Sequence, residues 1–473
     1  MQRTRATDKM STPRFTTNVF MRLHILGIGG TFMAGLAALA RSLGHEVRGS
    51  DRTLWPPMSE QIAALGLEVG LGSRPEHLDP APDLVLVGNA LVRGNPELEA
   101  VLARGLAYES GPRWLFENVL RGRTVLAVAG THGKTTTASL LVHLLRAAGL
   151  EPGYLIGGLP GDGHPSAALG RDSLFVIEAD EYDTAFFDKQ PKFMHYRPHV
   201  AVLNNIEYDH ADIYPDLSAI RQAFHHLVRT VPGPGRLIVN RDDPEIERVL
   251  HLGSWSPVVG FGFTAGEWRA EIDAKDAHRF TVRREGGASA PVEWSLLGRH
   301  NVANALAALA AAEAAGVEPT AVWPALATFR PPRRRLELLG VRDGIHVYDD
   351  FAHHPTAIAT TLDGLHARIA PARLVVALEP RSNSMRAGVH RAALAEALAR
   401  ADLAVLLLRP DLPWDTRELL TALGRRAIAV PDVDSLLDVL ARETRPGDHV
   451  LFMSNGDFGA APQRFVRGAR NPS

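Results

Sequence analysis

The sequence predicts a chain of three α/β domains, each built on a mainly parallel, doubly wound sheet. Three observations carry this. The 473 residues exceed what one compact core organises. From Met21 onward, short apolar runs alternate with amphipathic helical stretches, which is the pattern of βαβ units. The polar clusters that end those runs differ from one third of the chain to the next, which separates three units of similar architecture. No short tandem repeat occurs.

The first unit, 21–122, opens with the strand RLHILGIGG, the helix TFMAGLAALARSLGH and the strand EVRGSD, followed by DLVLVGNA. Gly27 and Gly29 form a dinucleotide-type turn, and Asp51 ends the next strand where a ribose-binding acid would stand. Read alone, that pair suggests NAD. The central unit, 123–329, runs through TVLAVAGTHGK, SLFVIEADEYD, HVAVLNNIEYDH and GRLIVNRDD, apolar runs that end in polar clusters where open α/β sheets place their ligands. A more antiparallel stretch, WRAEIDAKDAHRFTVRREGG, and the alanine-rich helix NVANALAALAAAEAAG complete it. FRPPRRRLELLG reads as a linker into the third unit, 330–473, with strands GIHVYDD, ARLVVALEP, ADLAVLLLRP and GDHVLFMSNG. Residues 1–20 are Thr/Arg-rich, nearly free of acids and without an apolar core, so they read as a flexible N-terminal extension.

Composition excludes several classes. A net charge of −2 with both signs spread along the chain argues against nucleic-acid or membrane-surface binding by bulk charge. The richest apolar stretch, LAVLLLRPDLPW, is broken by Arg409 and Pro410, so no segment is expected to span a bilayer. The absence of cysteine excludes disulfides, thiolate metal sites and a cysteine nucleophile, and is compatible with a cytoplasmic location. Any metal must sit on oxygen or imidazole.

The segment AVAGTHGKTTTASLLVHLL carries the sharpest chemistry. A full P-loop has a glycine five positions before its Gly-Lys pair, and here Val128 takes that place. The turn Gly130-Thr131-His132-Gly133-Lys134-Thr135-Thr136 is therefore a compact relative. Its glycines let several N–H groups face one anion, the helix N-terminus adds its dipole, and Lys134 neutralises phosphate oxygens. Thr135 offers a hydroxyl to Mg2+. A plain strand-to-helix turn would not bring two glycines, the GKT triplet and a helix together in this order, so ATP or GTP binding is expected.

Magnesium on a triphosphate needs a carboxylate from a neighbouring strand end, and LFVIEADEYD offers Glu178, Asp180, Glu181 and Asp183. Glu178 directly ends the apolar run and is the first choice among the four. His210, with Glu207, Asp209 and Asp212 around it, is a candidate oxygen-plus-imidazole metal ligand. With twenty histidines in the chain, most must do something else.

AGTHGKTTT, EADEYD, NNIEYDHAD, GRHNVANALAALA, RRRLEL and YDDFAHHPTA, in this order and spacing, resemble the Mur ligases, which build the peptide of bacterial cell-wall precursors. The resemblance implies Rossmann-like first and third domains around a P-loop ATPase-like centre. It also implies an ATP- and Mg2+-dependent ligase in the cytoplasm, expected as a monomer or weak dimer, that forms an amide through an acyl phosphate. Catalytic roles would fall to Lys134, Glu178, His210 and Arg335, with Thr135, Glu178 and His210 holding metal. Asn301 and Asn304 would read adenine, with Asn301 also capping its helix; Asp350 would bind ribose, and Arg335 would reach the γ-phosphate on domain closure. The first turn is redirected from NAD to a UDP-sugar, with Gly29, Gly30, Thr31, Asp51 and Asn89 as contacts.

Within the family, GIGGTFMAGLA, PPMSEQI, GNALVRGNPELEA, FFDKQPKF, EPRSNSM and MSNGDFG are most similar to the branch that attaches the murein tripeptide L-Ala-γ-D-Glu-meso-diaminopimelate to UDP-N-acetylmuramate during cell-wall recycling. Arg381 and Asn383 would grip the acceptor's carboxylates. Two alternatives stand beside it: a UDP-N-acetylmuramate:L-alanine ligase, and a non-catalytic nucleotide- or UDP-sugar-binding regulator on the same scaffold. Several Mur ligases carry a carbamylated lysine after the metal histidine, but this chain has no lysine between Lys192 and Lys275.

Overall fold

The computed structural model describes residues 20–468. Apart from Phe20, the N-terminal extension read from the sequence lies outside the described residues. The first five strands are β1 (Arg22–Leu26), β2 (Glu46–Asp51), β3 (Glu68–Leu71), β4 (Leu84–Val87) and β5 (Tyr108–Ser110). They form one all-parallel sheet in the order β3-β2-β1-β4-β5. The order reverses between β1 and β4, which leaves a crevice at their C-terminal ends, where the Gly27–Gly30 turn and Asn89 lie. Helix Thr31–Ser42 covers one face, and its small residues Ala34, Gly35, Ala37 and Ala38 are all buried.

The central sheet contains β6 (Thr124–Ala129), β7 (Gly153–Leu155), β8 (Ala167–Ala168), β9 (Leu174–Glu178), β12 (Val200–Leu203), β13 (Arg236–Asn240), β14 (Val258–Gly262), β15 (Trp268–Ile272), β16 (Arg279–Arg284) and β17 (Ser289–Glu293). A separate hairpin, β10 (Asp183–Ala185) with β11 (Asp188–Pro191), follows β9. The order is β17-β16-β15-β14-β13-β12-β6-β9-β7-β8, parallel from β7 through β15 and antiparallel where β15, β16 and β17 pair, as the sequence suggests for that stretch. β6 lies between β9 and β12, and its residues from Val125 to Ala129 are buried, because a central parallel strand is covered on both faces. Each large apolar side chain there contributes about 1.5–3 kcal/mol. A charge at Val128 would break this strand and release the turn that follows it. Helices Lys134–Ala147 and Arg299–Ala314 pack against one another on this sheet, and the run of buried alanines in the latter permits the close approach.

The third sheet has β18 (Glu337–Arg342), β19 (Ile345–Asp350), β20 (Leu374–Leu378), β21 (Leu403–Leu407), β22 (Ala427–Val430) and β23 (His449–Met453) in the order β18-β19-β23-β20-β21-β22. All pairs are parallel except β18 with β19. The linker read from FRPPRRRLELLG is therefore too long. Its second half is the edge strand β18, whose backbone groups are satisfied by β19 across a bulge at Leu338/Gly340. The protein is thus mixed α/β, with three large sheets and one small hairpin.

Candidate active site

After β6 the chain turns through Gly130 (φ 144°) and Gly133 (φ 80°) into the Lys134–Ala147 helix. Glycine is required at both places. A Cβ on Gly130 would stand 2.8 Å from the Asn204 Cβ, and one on Gly133 would stand 2.4 Å from Asn304 Oδ1. With this support behind it, the turn lines a cavity of about 1250 Å³ and presents a 14-residue helix N-terminus to it, an arrangement that suits an anion. Lys134 folds back over the turn: its Nζ donates to Gly130 O (2.7 Å) and Glu181 Oε2 (2.8 Å), with Asp180 Oδ1 at 3.7 Å. Burial works against the Lys134 charge, but Glu181 and Asp180 outweigh it and raise its pKa.

β9 delivers Glu178 beside this turn. Its Oε1 accepts the Thr135 hydroxyl (3.1 Å) and its Oε2 accepts Gly157 N–H (2.7 Å). Burial pushes the Glu178 carboxyl up in pKa even with Lys134 nearby. Two residues on, Asp180 pairs with the buried Lys192 (2.9 Å), and Glu181 accepts from His210 Nε2 (3.0 Å). Burial opposes the His210 charge, yet the bond to Glu181 raises its pKa. Asp180, Glu181 and His210 bring ligand atoms within 4.8 Å of one another. This set, together with Thr135 and Glu178, is almost all oxygen, the donor type that suits Mg2+. His210 is held at φ 55°, uncommon for a non-glycine residue, and Asp209 accepts both its N–H (2.8 Å) and the Ser384 hydroxyl (2.6 Å).

Three consecutive arginines join the three domains. Arg333 reaches Glu60 of the first domain (3.1 Å), Arg334 reaches Asp349 of β19 (3.1 Å), and Arg335 donates to Thr135 Oγ1 in the phosphate turn (3.0 Å). Arg335 also lies over the Phe351 ring, 5.0 Å from its centroid. The alternation is produced by backbone conformation, since Arg334 (φ 61°) and Leu336 (φ 51°) are both left-handed. Asp350 stabilises that conformation: it accepts Leu336 N–H and Ala352 N–H, each at 2.7 Å.

Family models match nearly the whole chain: "Mur ligase family, catalytic domain" over residues 22–122, "Mur ligase middle domain" over 128–312 and "Mur ligase, glutamate ligase domain" over 334–456. The chain is 50% identical, over 95% of its length and 98% of the relative's, to the UDP-N-acetylmuramate:L-alanyl-gamma-D-glutamyl-meso-2,6-diaminoheptandioate ligase of Escherichia coli K12. The chain belongs to the Mur ligase family. A crystal structure of a murein peptide ligase from Psychrobacter arcticus 273-4 superimposes on this Mur ligase with a TM-score of 0.79 at 42% identity, covering 96% of this chain and 99% of that one. Identity to the UDP-N-acetylmuramate:L-alanine ligase of Rubrobacter xylanophilus is 34%, over 94% of this chain and 99% of the relative.

The Mur ligase structure brings Lys134, Thr135, Glu178, His210, Arg335, Asn301, Asn304, Asp350, Arg381 and Asn383 to the wall of one cavity, with Thr31 reaching it from the first domain. It does not join every pair the sequence suggests. His210 sits on Glu181 rather than on Glu178, whose oxygens are taken by Thr135 and Gly157. Asn301 is not the helix cap, because Gly298 occupies that position and Asn301 donates to Leu297 O (2.8 Å). Asn304 is buried behind the turn, where its Oδ1 accepts the Thr137 hydroxyl (3.1 Å). Gly29, Gly30, Asp51 and Asn89 lie outside this cavity; Asp51 Oδ2 accepts Gly29 N–H (2.9 Å), so the acid braces its own turn. Asn383 donates to Asp212 (2.8 Å) across the domain boundary, and Arg381 lies 3.8 Å from Glu379.

Sequence reasoning missed two participants, Lys192 and Ser384, and ranked a third too low. Lys192 lines the cavity and holds Asp180, and its only signal was a lysine inside the FFDKQPKF block. Glu181, one of the four acids the sequence offered after β9, proves to be the shared partner of Lys134 and His210. Ser384 clasps Asp209 and Ala211 N–H from the third domain (2.6 and 3.1 Å), and its only signal was its place inside the EPRSNSM block.

Proposed function

We propose that this Mur ligase joins the tripeptide L-Ala-γ-D-Glu-meso-diaminopimelate to UDP-N-acetylmuramate at the expense of ATP, in peptidoglycan recycling in the cytoplasm, where nucleotide substrates of this kind are held. One observation carries the ligase chemistry: Lys134, Glu178 and Arg335, from separate parts of the chain, converge on a single cavity at the phosphate turn. The 50% identity to the tripeptide ligase, against 34% to an L-alanine ligase, carries the acceptor.

The reaction has two halves. The lactyl carboxylate of the sugar nucleotide takes a phosphoryl group from ATP, since a carboxylate oxygen is too poor a leaving group for direct attack by an amine. The peptide amine then displaces phosphate and leaves the amide. Lys134 supplies fixed positive charge at the turn, and Arg335 adds a second cation from the domain boundary. Thr135 and Glu178 would hold Mg2+ at the nucleotide, and Asp180, Glu181 and His210 have the donors for another. When bound, the ion disperses charge on the phosphoryl oxygens. Closure of the third domain, tied down by Arg335 and Ser384, excludes water from the acyl phosphate. Arg381, about half exposed at the cavity edge, faces the space left for a multiply charged acceptor.

The test is ADP release with ATP, Mg2+ and UDP-N-acetylmuramate, with either the tripeptide or free L-alanine as acceptor. Turnover with tripeptide is the expected result. Turnover with L-alanine alone would assign the chain to the sister activity, and nucleotide binding without ADP release for either acceptor would favour a regulator.

A further inference from the structure

A second group of ligand-bearing side chains sits at the same domain boundary and is used by no step above. We propose that His132, Glu207 and His354 form a site for a zinc-like divalent cation that fastens the third domain to the phosphate turn. His132 Nε2 lies 3.5 Å and His354 Nδ1 lies 3.4 Å from Glu207 Oε2, and all three ligand atoms fall within 4.8 Å of one another. Zinc bonds of about 2.0–2.1 Å to nitrogen and oxygen place neighbouring tetrahedral ligands about 3.4 Å apart. Two of the three edges already have that length, so the cation fits with small side-chain movements. The donors also discriminate: two imidazoles and one carboxylate favour zinc, cobalt or nickel over Mg2+.

The surroundings resemble those of a prepared site. His132 Nε2 is buried and makes no hydrogen bond. Its backbone is clamped by Asn205, which accepts His132 N–H (2.7 Å) and donates to its carbonyl (3.1 Å). His354 Nε2 faces Tyr208 O (3.3 Å), the carbonyl partner that commonly orients a metal-bound imidazole. Thr356 donates its hydroxyl to Glu207 Oε2 (2.6 Å).

Geometry also gives the consequence. His132 and Glu207 belong to the central domain, whereas His354 precedes helix Pro355–Ile369 of the third. Their imidazole rings, 4.5 Å apart, meet across the boundary that must open for product to leave. A cation bound there cross-links the closed form and slows turnover. His354 Nδ1 now accepts the Thr356 N–H at 3.3 Å as the cap of that helix, and the metal would take that lone pair. Asparagine can restore the cap while removing the ligand, so His354→Asn is the informative variant.

The binding arms of the test do not depend on the reaction proposed above. Zn2+ is titrated into the full chain against a chromogenic chelator in excess Mg2+, and Co2+ is titrated while its visible spectrum is recorded. Wild type, His354→Asn, Glu207→Gln and His210→Ala are compared. We expect one Zn2+ that survives Mg2+, intense four-coordinate Co2+ bands, and at least a 100-fold weaker site in His354→Asn and Glu207→Gln but not in His210→Ala. Zinc should slow wild-type turnover at least tenfold and leave His354→Asn at its own zinc-free rate. Unchanged zinc affinity in both ligand variants would overturn the site, as would loss of zinc in His210→Ala, which would place it in the Asp180–Glu181–His210 cluster. Tight zinc with unaltered turnover would overturn the clamp.

Discussion

Arg335→Ala is the perturbation whose outcome the geometry specifies most sharply. The side chain makes one hydrogen bond to the Thr135 hydroxyl and one cation–π contact with Phe351, and it links the start of the third domain to the phosphate turn. A hydrogen bond from a charged donor contributes about 1.5–3 kcal/mol and a desolvated cation–π contact up to about 2 kcal/mol. Loss of both therefore shifts the balance between closed and open domains by about 2–5 kcal/mol, which lowers the closed fraction by roughly 30-fold or more if closure is only marginally favourable. Loss of positive charge at the transferring phosphoryl group adds to this, since arginines in that role contribute about 10³–10⁵ in other phosphoryl-transfer enzymes. The expected result is a fall in kcat of at least about 10² with an ATP affinity reduced less than about tenfold. Steady-state ADP release measures the first, and equilibrium nucleotide binding the second. Equal losses in both would mean that Arg335 only docks nucleotide, and the closure argument would fail.

Lys134→Ala should abolish turnover and also destabilise the fold by about 3 kcal/mol, because Glu181 and Asp180 lose their common cation in a buried site. An unchanged melting temperature would show that water or Lys192 compensates. Ser384→Ala removes the hydroxyl shared by Asp209 and Ala211 N–H, so it should lower kcat several-fold through looser closure while leaving ATP binding intact; a loss confined to ATP affinity would contradict that. Burial holds the His300 pKa at about 4, well below its ordinary value. Its neutral form is thus favoured in the fold, and the stability this gives is full above about pH 6.5 and lost as pH falls towards about 4. His300→Gln should flatten the decline in melting temperature between pH 7 and 5, and an identical slope in the variant would refute the assignment.

The phosphate turn was legible because its chemistry is local: two glycines, a lysine and a threonine act within seven residues, and the structure keeps them together. The three arginines were also visible, but that each reaches a different domain depends on left-handed backbone at Arg334 and Leu336, which the residue types disfavour and Asp350 enforces. Partner choice was not legible. Glu178 and His210, read from the sequence as metal ligands, both line the cavity, yet only the fold decides that Glu181 stands between His210 and Lys134. Asp51 illustrates the same limit: an acid at a strand end reads as a ribose ligand, and only the fold shows that its Oδ2 also accepts Gly29 N–H. β18 passed for linker because an edge strand that pairs on one side carries no strong apolar alternation.

The chemical claim at the centre of this account is that the sugar acid is phosphorylated before the amine attacks. UDP-N-acetylmuramate labelled with ¹⁸O in its lactyl carboxylate, turned over with ATP and the tripeptide, tests this in one experiment. One labelled oxygen per turnover should appear in the released inorganic phosphate. Phosphate free of label, with amide formed at the normal rate, would contradict the account.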